Sequence, residues 1–436
     1  MTKGRTVALI AVIAVVVIAA ASGIVWWRTH PSKPDTQPAA AAPVAISVPN
    51  APRKLTIGMI VTLSSKPGQG ADDKYAAEGA RVAAERLSMG GVTVELKTVD
   101  DKGTTDGAAK AVKQLAAKDV SGIVAASQGS HLKGAVSAAA KADIPLLLPY
   151  ESDAGLLDDN SWSTGPSDSM IGKALHQALS SAKLTKPLVI DAGGGVPDAV
   201  DPTTRLSYAV GGDSGELIKK VKRVAKPGGV DSVLISGPAD QQAAVVAALQ
   251  GATIDLPIYL TPDATSQAFS DALVKAGGSL STNLTTVGPN WGDPAALQSD
   301  EDGRAMSSFL TAVRLTAADS KQTTLMGDQP FTVATNAADT RSHDAVIALS
   351  RAAGEAQSGT ASDVAKALSG LQLGHVDGLA GPDLDFSDRT ALVPQSVVTL
   401  RSSDQDLGLR PTATDSDSDD ESTGARLIWF AQPSTK

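Results

Sequence analysis

From Lys54 onward, short apolar runs alternate with stretches of helical periodicity, and this alternation restricts the fold more than any other feature of the chain. "KLTIGMIVTL" is a strand-length run that ends in the small-residue loop "SSKPGQGADD". Ala76, Gly79, Ala80, Ala83 and Leu87 then recur at i, i+3, i+4, i+7 and i+11, which is one face of a helix. "VTVELKTVDD", "VSGIVAASQGS" and "IPLLLPY" read as further strands, separated by the helical stretches "TDGAAKAVKQLAAKD" and "HLKGAVSAAAKAD". A second series begins near Lys186 with "KPLVIDAGGG", "VDSVLISGPAD" and "DLPIYLTPDAT", again with helical stretches between. Strands separated by helices of ~10–15 residues indicate βαβ units, hence an α/β fold of parallel sheets covered on both faces. Two such units of similar size place a ligand cleft between them, beyond the carboxyl ends of the strands.

The N-terminus sets an expectation about compartment. Thr6 to Trp27 carries no charge, between Arg5 and Arg28, and Trp26 and Trp27 stand where an interfacial aromatic belt would lie. At 1.5 Å per residue this run spans about 33 Å, enough for the ~30 Å hydrocarbon core. A cleaved export signal is the competing reading, but its apolar region should be only ~7–15 residues long. The expectation is a cytoplasmic stub at 1–5, a transmembrane anchor at 6–27, and a body on the far side of the cell membrane. Residues 28–53 are rich in proline and alanine and read as an extended tether. Zero cysteine excludes disulfides, thiolate metal sites and a thiol-linked lipid anchor, so the apolar span would supply attachment instead. The formal charge of −9 and an aromatic content of 3% argue against nucleic-acid binding. Asp415, Asp417, Asp419, Asp420 and Glu421 account for −5 of that −9, so the acidity belongs mainly to a late linker.

No catalytic signature stands out. His30, His131, His176, His343 and His375 are dispersed, without spacing suited to zinc. "GGGVPD" follows a strand, but Asp198 stands where a dinucleotide fingerprint needs its third glycine. The run "DSDSDDE" lacks the central glycine and the spaced final Glu of a calcium loop. No enzyme, metal or cofactor is therefore expected, and a hydrolase in the cleft would require a histidine near Ser127, Ser130 or Ser152.

Three strand-end loops carry polar residues suited to a small zwitterion. "SQGSHL" supplies Ser127, Gly129 and Ser130 at a helix start, where unpaired N–H donors favour a carboxylate; N-capping by Ser130 competes with this reading. "PYESDAG" supplies Tyr150, Glu151, Ser152 and Asp153, with a turn-and-cap role as the alternative. "LTPDATSQ" sets Asp263 at a strand end of the second unit, placed to meet an ammonium or to cap the next helix.

Taken in order, these stretches resemble the type I periplasmic solute-binding proteins that serve branched-chain amino acid ABC transporters. The resemblance runs from Lys54 to about Arg401. It is carried by "IGMIVTLSS", the long run from "EGARVAAERL" to "AASQGS", "IPLLLPYESDAGLL", "STGPSDSMIGKAL", "HDAVIALSRAA" and "GLAGPDLDFSD". It implies two Rossmann-like lobes joined by three crossings and closing over an amino acid or similar solute. Lobe I is expected at 54–182 and 288–372, lobe II at 183–287 and 373–412, and an acidic linker and tail at 413–436. By this resemblance Ser64 belongs to the opening ligand loop, the Ser127–Ser130 loop holds the α-carboxylate, Ser152 gives a hydroxyl contact, and Asp263 binds the α-ammonium. The sequence departs from the family at Gly129, where a serine is usual, at Tyr150 and Glu151, where small residues are usual, and at Pro238, where an aromatic often covers the ligand. The expected partners are a small-molecule ligand, an ABC permease and the membrane. A ligand sensor, or an envelope protein that reuses the fold without transport, is the alternative function.

Overall fold

The computed structural model describes residues 42–63, 71–279, 283–403, 407–411 and 429–433. The expected anchor at 6–27, most of the tether, Ser64 and the acidic run Asp415–Glu421 lie outside the described residues. Among the described residues, no helix is long and apolar enough to cross a membrane.

The first sheet contains β1 (Lys54–Val61), β2 (Thr93–Asp100), β3 (Gly122–Ala126), β4 (Leu146–Leu148) and β5 (Ser161–Ser163). All its pairings are parallel, in the order β2-β1-β3-β4-β5. The apolar run of β1 is explained by cover on both faces: Ile57, Met59 and Ile60 have no exposure at all. Helices α1 (Gly79–Met89), α9 (Thr340–Ala356) and α10 (Ala361–Leu368) cover one face through Leu87, Val346, Leu349 and Val364. On the other face lie α2 (Thr105–Ala116) and α3 (Lys133–Ala142), packing Val112, Leu115 and Ala135 against Ile60 and Ile123.

The second sheet orders β14-β13-β10-β9-β8-β6-β7. Its parallel part is β6 (Pro187–Asp191), β7 (Thr204–Ser207), β8 (Ser232–Ser236), β9 (Ile258–Leu260) and β10 (Leu284–Gly288). Two antiparallel strands, β13 (Val398–Ser403) and β14 (Trp429–Ala431), extend it beyond β10. Helices α5 (Ser214–Val224), α6 (Ala239–Gly251) and α7 (Gln267–Lys275) pack on one face through Leu217, Val221, Leu249 and Phe269. The other face is covered by α4 (Asp168–Ser181) through Ile171, Leu175 and Leu179. A further helix, α8 (Glu301–Ala318), packs Phe309 and Val313 against Val82 of α1, on the side of the first lobe.

Several boundaries differ from those expected. Helix α4 packs with the second sheet, so the first crossing falls at Gly165–Ser167, before 182. Residues 373–392, expected in lobe II, fold back on lobe I: Leu373, Leu379, Leu384, Phe386, Ala391 and Leu392 join its core. The chain then returns to the second sheet at β13. Part of the expected tether is also built into the body. Ile46 is 4% exposed, its N–H donates to the Arg86 carbonyl (2.9 Å), and Arg86 Nε donates to the Val44 carbonyl (2.8 Å). The expected tail contributes β14, whose Phe430 meets Phe269 edge-on at 6.4 Å. Amphipathic pattern alone assigns none of these segments, because each joins its lobe by contacts distant in sequence.

Candidate functional site

The loop after β3 is turned away from the role expected of it. Ser127 is fully buried, with its Oγ 2.7 Å from Thr62 Oγ1. The single Thr62 hydroxyl proton goes to Asp101 Oδ1 (2.7 Å), so Ser127 donates to Thr62. His131 Nε2 lies 3.0 Å from Asp101 Oδ2 and 3.4 Å from Ser127 Oγ. One ring nitrogen thus faces both the carboxylate and the hydroxyl, whereas a nucleophile–base relay needs one nitrogen for each. The cluster is a buried polar core in which the Ser127 hydroxyl is engaged by Thr62.

Gly129 adopts φ +112°, a backbone region that a side chain would disfavour. Its N–H, the donor expected to meet a ligand carboxylate, instead donates to Glu151 Oε2 at 2.8 Å. The other oxygen of Glu151 accepts the N–H of Asp153 (2.9 Å). Burial raises the Glu151 pKa, and these two N–H donors oppose the rise. Glu151 therefore fills the anion position with a carboxylate of the protein's own. Ser130 is exposed and opens a single turn preceded by Gly129, so it does not act as the N-cap.

Tyr150 and Ser152, after β4, face the interlobe cleft from one side, and Asp263, after β9, faces it from the other. Together with Gln128, Pro238 and Trp291 they line a cavity of about 210 Å³. Ser266, rather than Asp263, immediately precedes α7, so the capping alternative for Asp263 is not what forms. The glycine loop after β6 closes on its own strand: the amides of Gly193 and Gly195 donate to Asp191 Oδ1 at 3.0 and 2.9 Å. Of the expected site residues, Tyr150, Ser152 and Asp263 come together. Ser127, Gly129 and Ser130 do not join them, and Ser64 lies outside the described residues.

The most ordered chemistry in the cleft comes from residues the sequence did not single out. Asp339 caps α9: its Oδ1 accepts the N–H groups of Arg341 (3.1 Å) and Ser342 (3.2 Å) and the Tyr150 hydroxyl (2.9 Å). Its Oδ2 accepts Arg341 Nε at 2.6 Å. The guanidinium of Arg341 lies 4.0 Å from the centre of the Tyr150 ring and 5.2 Å from that of Trp291. Burial disfavours the Arg341 cation, but Asp339, Tyr150 and Asp73 more than offset this, so its pKa is raised. Burial, with Asp339 nearby, holds the Tyr150 hydroxyl well above its ordinary pKa, hence neutral. On the far side of Trp291 and Arg341 a second interlobe cavity of about 680 Å³ is walled by Tyr75, Ala268, Ala272, Val333 and Phe430. Tyr150 is the member of this cluster that the sequence singles out; Asp339 offers only the local signal of an Asp just before a helical stretch, which reads as a cap.

Residues 54–405 match the family described as Periplasmic binding protein. The branched-chain amino acid transporter substrate-binding protein LivJ of Streptococcus pneumoniae, solved with isoleucine, has a similar fold. It has a TM-score of 0.59 and 18% identity over 80% of this chain and 96% of that one. An ABC transporter substrate-binding protein of Desulfitobacterium hafniense, solved with Leu, gives a TM-score of 0.59 and 17% identity, covering 82% of this chain and 99% of that one. The leucine-binding protein LivK of Thermotoga maritima gives 0.58 and 14%, covering 80% and 95%. Among curated proteins, none matches the sequence. With the family match spanning most of the chain, and the same two-lobed α/β fold in each of these structures, the chain belongs to the periplasmic binding protein family.

Proposed function

We propose that this protein is a membrane-tethered solute receptor that captures an amino acid or similar small polar solute between its lobes for ABC-type uptake. The observation that carries the reading is the cleft itself. It lies at the carboxyl ends of two parallel sheets, with Tyr150 and Ser152 on one wall and Asp263 on the other. A ligand that contacts both walls stabilises the closed arrangement, because only closure makes both sets of contacts at once. The isoleucine and Leu held by the structural neighbours support an amino acid as the ligand class. The uncharged run from Thr6 to Trp27 supports an anchor that keeps the body near a membrane permease. Titration calorimetry of the full chain with the twenty L-amino acids tests the reading. Binding by at least one of them, weakened ~10-fold or more in Asp263→Ala, is expected; no binding would refute solute capture of this class, and unchanged binding in Asp263→Ala would refute the ammonium role.

A further inference from the structure

An amino acid in the cleft needs a partner for its carboxylate, and the loop expected to supply one is occupied. The Gly129 N–H is bonded to Glu151, and Ser127 is buried against Thr62. We infer that Arg341 is the carboxylate-binding residue, so that the ligand zwitterion lies with its acid end on the Arg341 guanidinium and its ammonium toward Asp263. The inference rests on the solute-capture reading above and adds a residue to it.

Three observations carry it. First, the guanidinium is held by its neighbours: Asp339 Oδ2 accepts from Nε at 2.6 Å, and the guanidinium carbon sits over the rings of Tyr150 (4.0 Å) and Trp291 (5.2 Å). A planar fork fixed in this way has given up its rotamer freedom before any ligand arrives. Second, the terminal amino groups of Arg341 make no hydrogen bond among the described residues, and the side chain retains 19% exposure. These are the donors that meet a carboxylate side by side, in two parallel charge-assisted bonds. Third, Arg341 and Asp263 stand on opposite lobes and line the same two cavities, the one of about 210 Å³ and a small one of about 10 Å³. A cation and an anion bordering one cavity from opposite lobes suit the two ends of an α-amino acid. Arg341 also borders the larger cavity, so a side chain has room to extend beyond the head group.

The test compares each L-amino acid that binds with its own α-amide, which keeps the ammonium and the side chain but replaces the carboxylate with a neutral group. Calorimetry on the full chain should show the acid preferred by about 30-fold or more. In Arg341→Gln the acid and the amide should bind within about 3-fold of one another. Arg341→Lys keeps the charge but not the fork, and a residual preference of about 5-fold is expected; this variant guards against a folding defect in the first. If Arg341→Gln still prefers the acid as strongly as the wild type, or if the wild type binds both forms equally, Arg341 is not the carboxylate partner, while solute capture stands. If no amino acid binds, both fall together.

Discussion

Glu78 sits 3% exposed beneath the 319–330 loop, with Oε1 accepting the Leu325 N–H at 2.7 Å and Oε2 buried with no partner among the described residues. Desolvation dominates there: it raises the pKa to about 7, against the Leu325 N–H and Arg81, which lower it, and with Asp328 adding to the rise. A carboxyl whose folded pKa lies above its unfolded value stabilises the fold while protonated and loses that stability as pH rises through the folded value. With 4.5 in the unfolded chain and about 7 in the folded one, the loss is about 3 kcal/mol between pH 4.5 and pH 8. His343 works in the opposite direction. It is fully buried and neutral, its Nε2 accepts from Arg86 (3.0 Å) and its Nδ1–H donates to Asp344 (2.6 Å), and burial lowers its pKa. The Glu78 contribution is therefore read as a difference between two proteins. Urea unfolding at several pH values should show wild type falling behind Glu78→Gln by about 3 kcal/mol over that window; a difference that does not change with pH would refute the account.

The start of α1 and the start of α9 are fitted to one another at Gly79. A Cβ on this residue would lie 1.9 Å from the Asp339 carbonyl oxygen, so the two backbones approach too closely for any side chain. Gly79→Ala should destabilise the protein by about 2 kcal/mol or more through overpacking, measured by chemical denaturation. The same substitution should weaken amino-acid binding, because Asp339 positions Arg341; retained stability would show that the helices can separate without cost. Elements of this kind mark where sequence reasoning succeeded and where it stopped. The strands around Ile57, Val124 and Leu234 were legible because burial on both faces leaves a local trace, a continuous apolar run. The start of α9 was legible only as the beginning of a helical stretch. What Asp339 and Arg341 do depends on Tyr150, almost two hundred positions earlier, and no local period encodes that contact. The partner of the Gly129 amide is hidden for the same reason: Glu151, which accepts its N–H, stands twenty-two positions on.

Across the whole described body the chain passes between lobes more often than the three crossings expected. After β13 in the second sheet, Leu409 packs with the first lobe's Phe309 cluster. Arg410 Nε and Nη2 bind the two Asp293 oxygens, each at 2.8 Å, and Nη1 binds the carbonyls of Thr335 (2.6 Å) and Ala338 (2.8 Å). The chain then contributes β14 to the second sheet. Asp293 is 1% exposed, so Arg410→Ala would leave a buried charge without its partner. An unfolding free-energy loss of about 3–5 kcal/mol is expected in denaturant titration; a loss below ~1 kcal/mol would show that water or rearrangement replaces the pair.

The β10–β13 pairing has a consequence in time. Thr286 lies beside Leu400, and the Leu284 N–H donates to the hydroxyl oxygen of Ser402 (2.8 Å), so the second sheet waits for residues more than one hundred positions downstream. The first lobe waits as well, since Leu379, Phe386 and Leu392 fill the core beneath β1. As the chain leaves the ribosome neither lobe can close its core until the segment from Leu373 to Ser403 has emerged. Contacts this distant in sequence make for slow folding, with long intervals during which apolar strands stand uncovered.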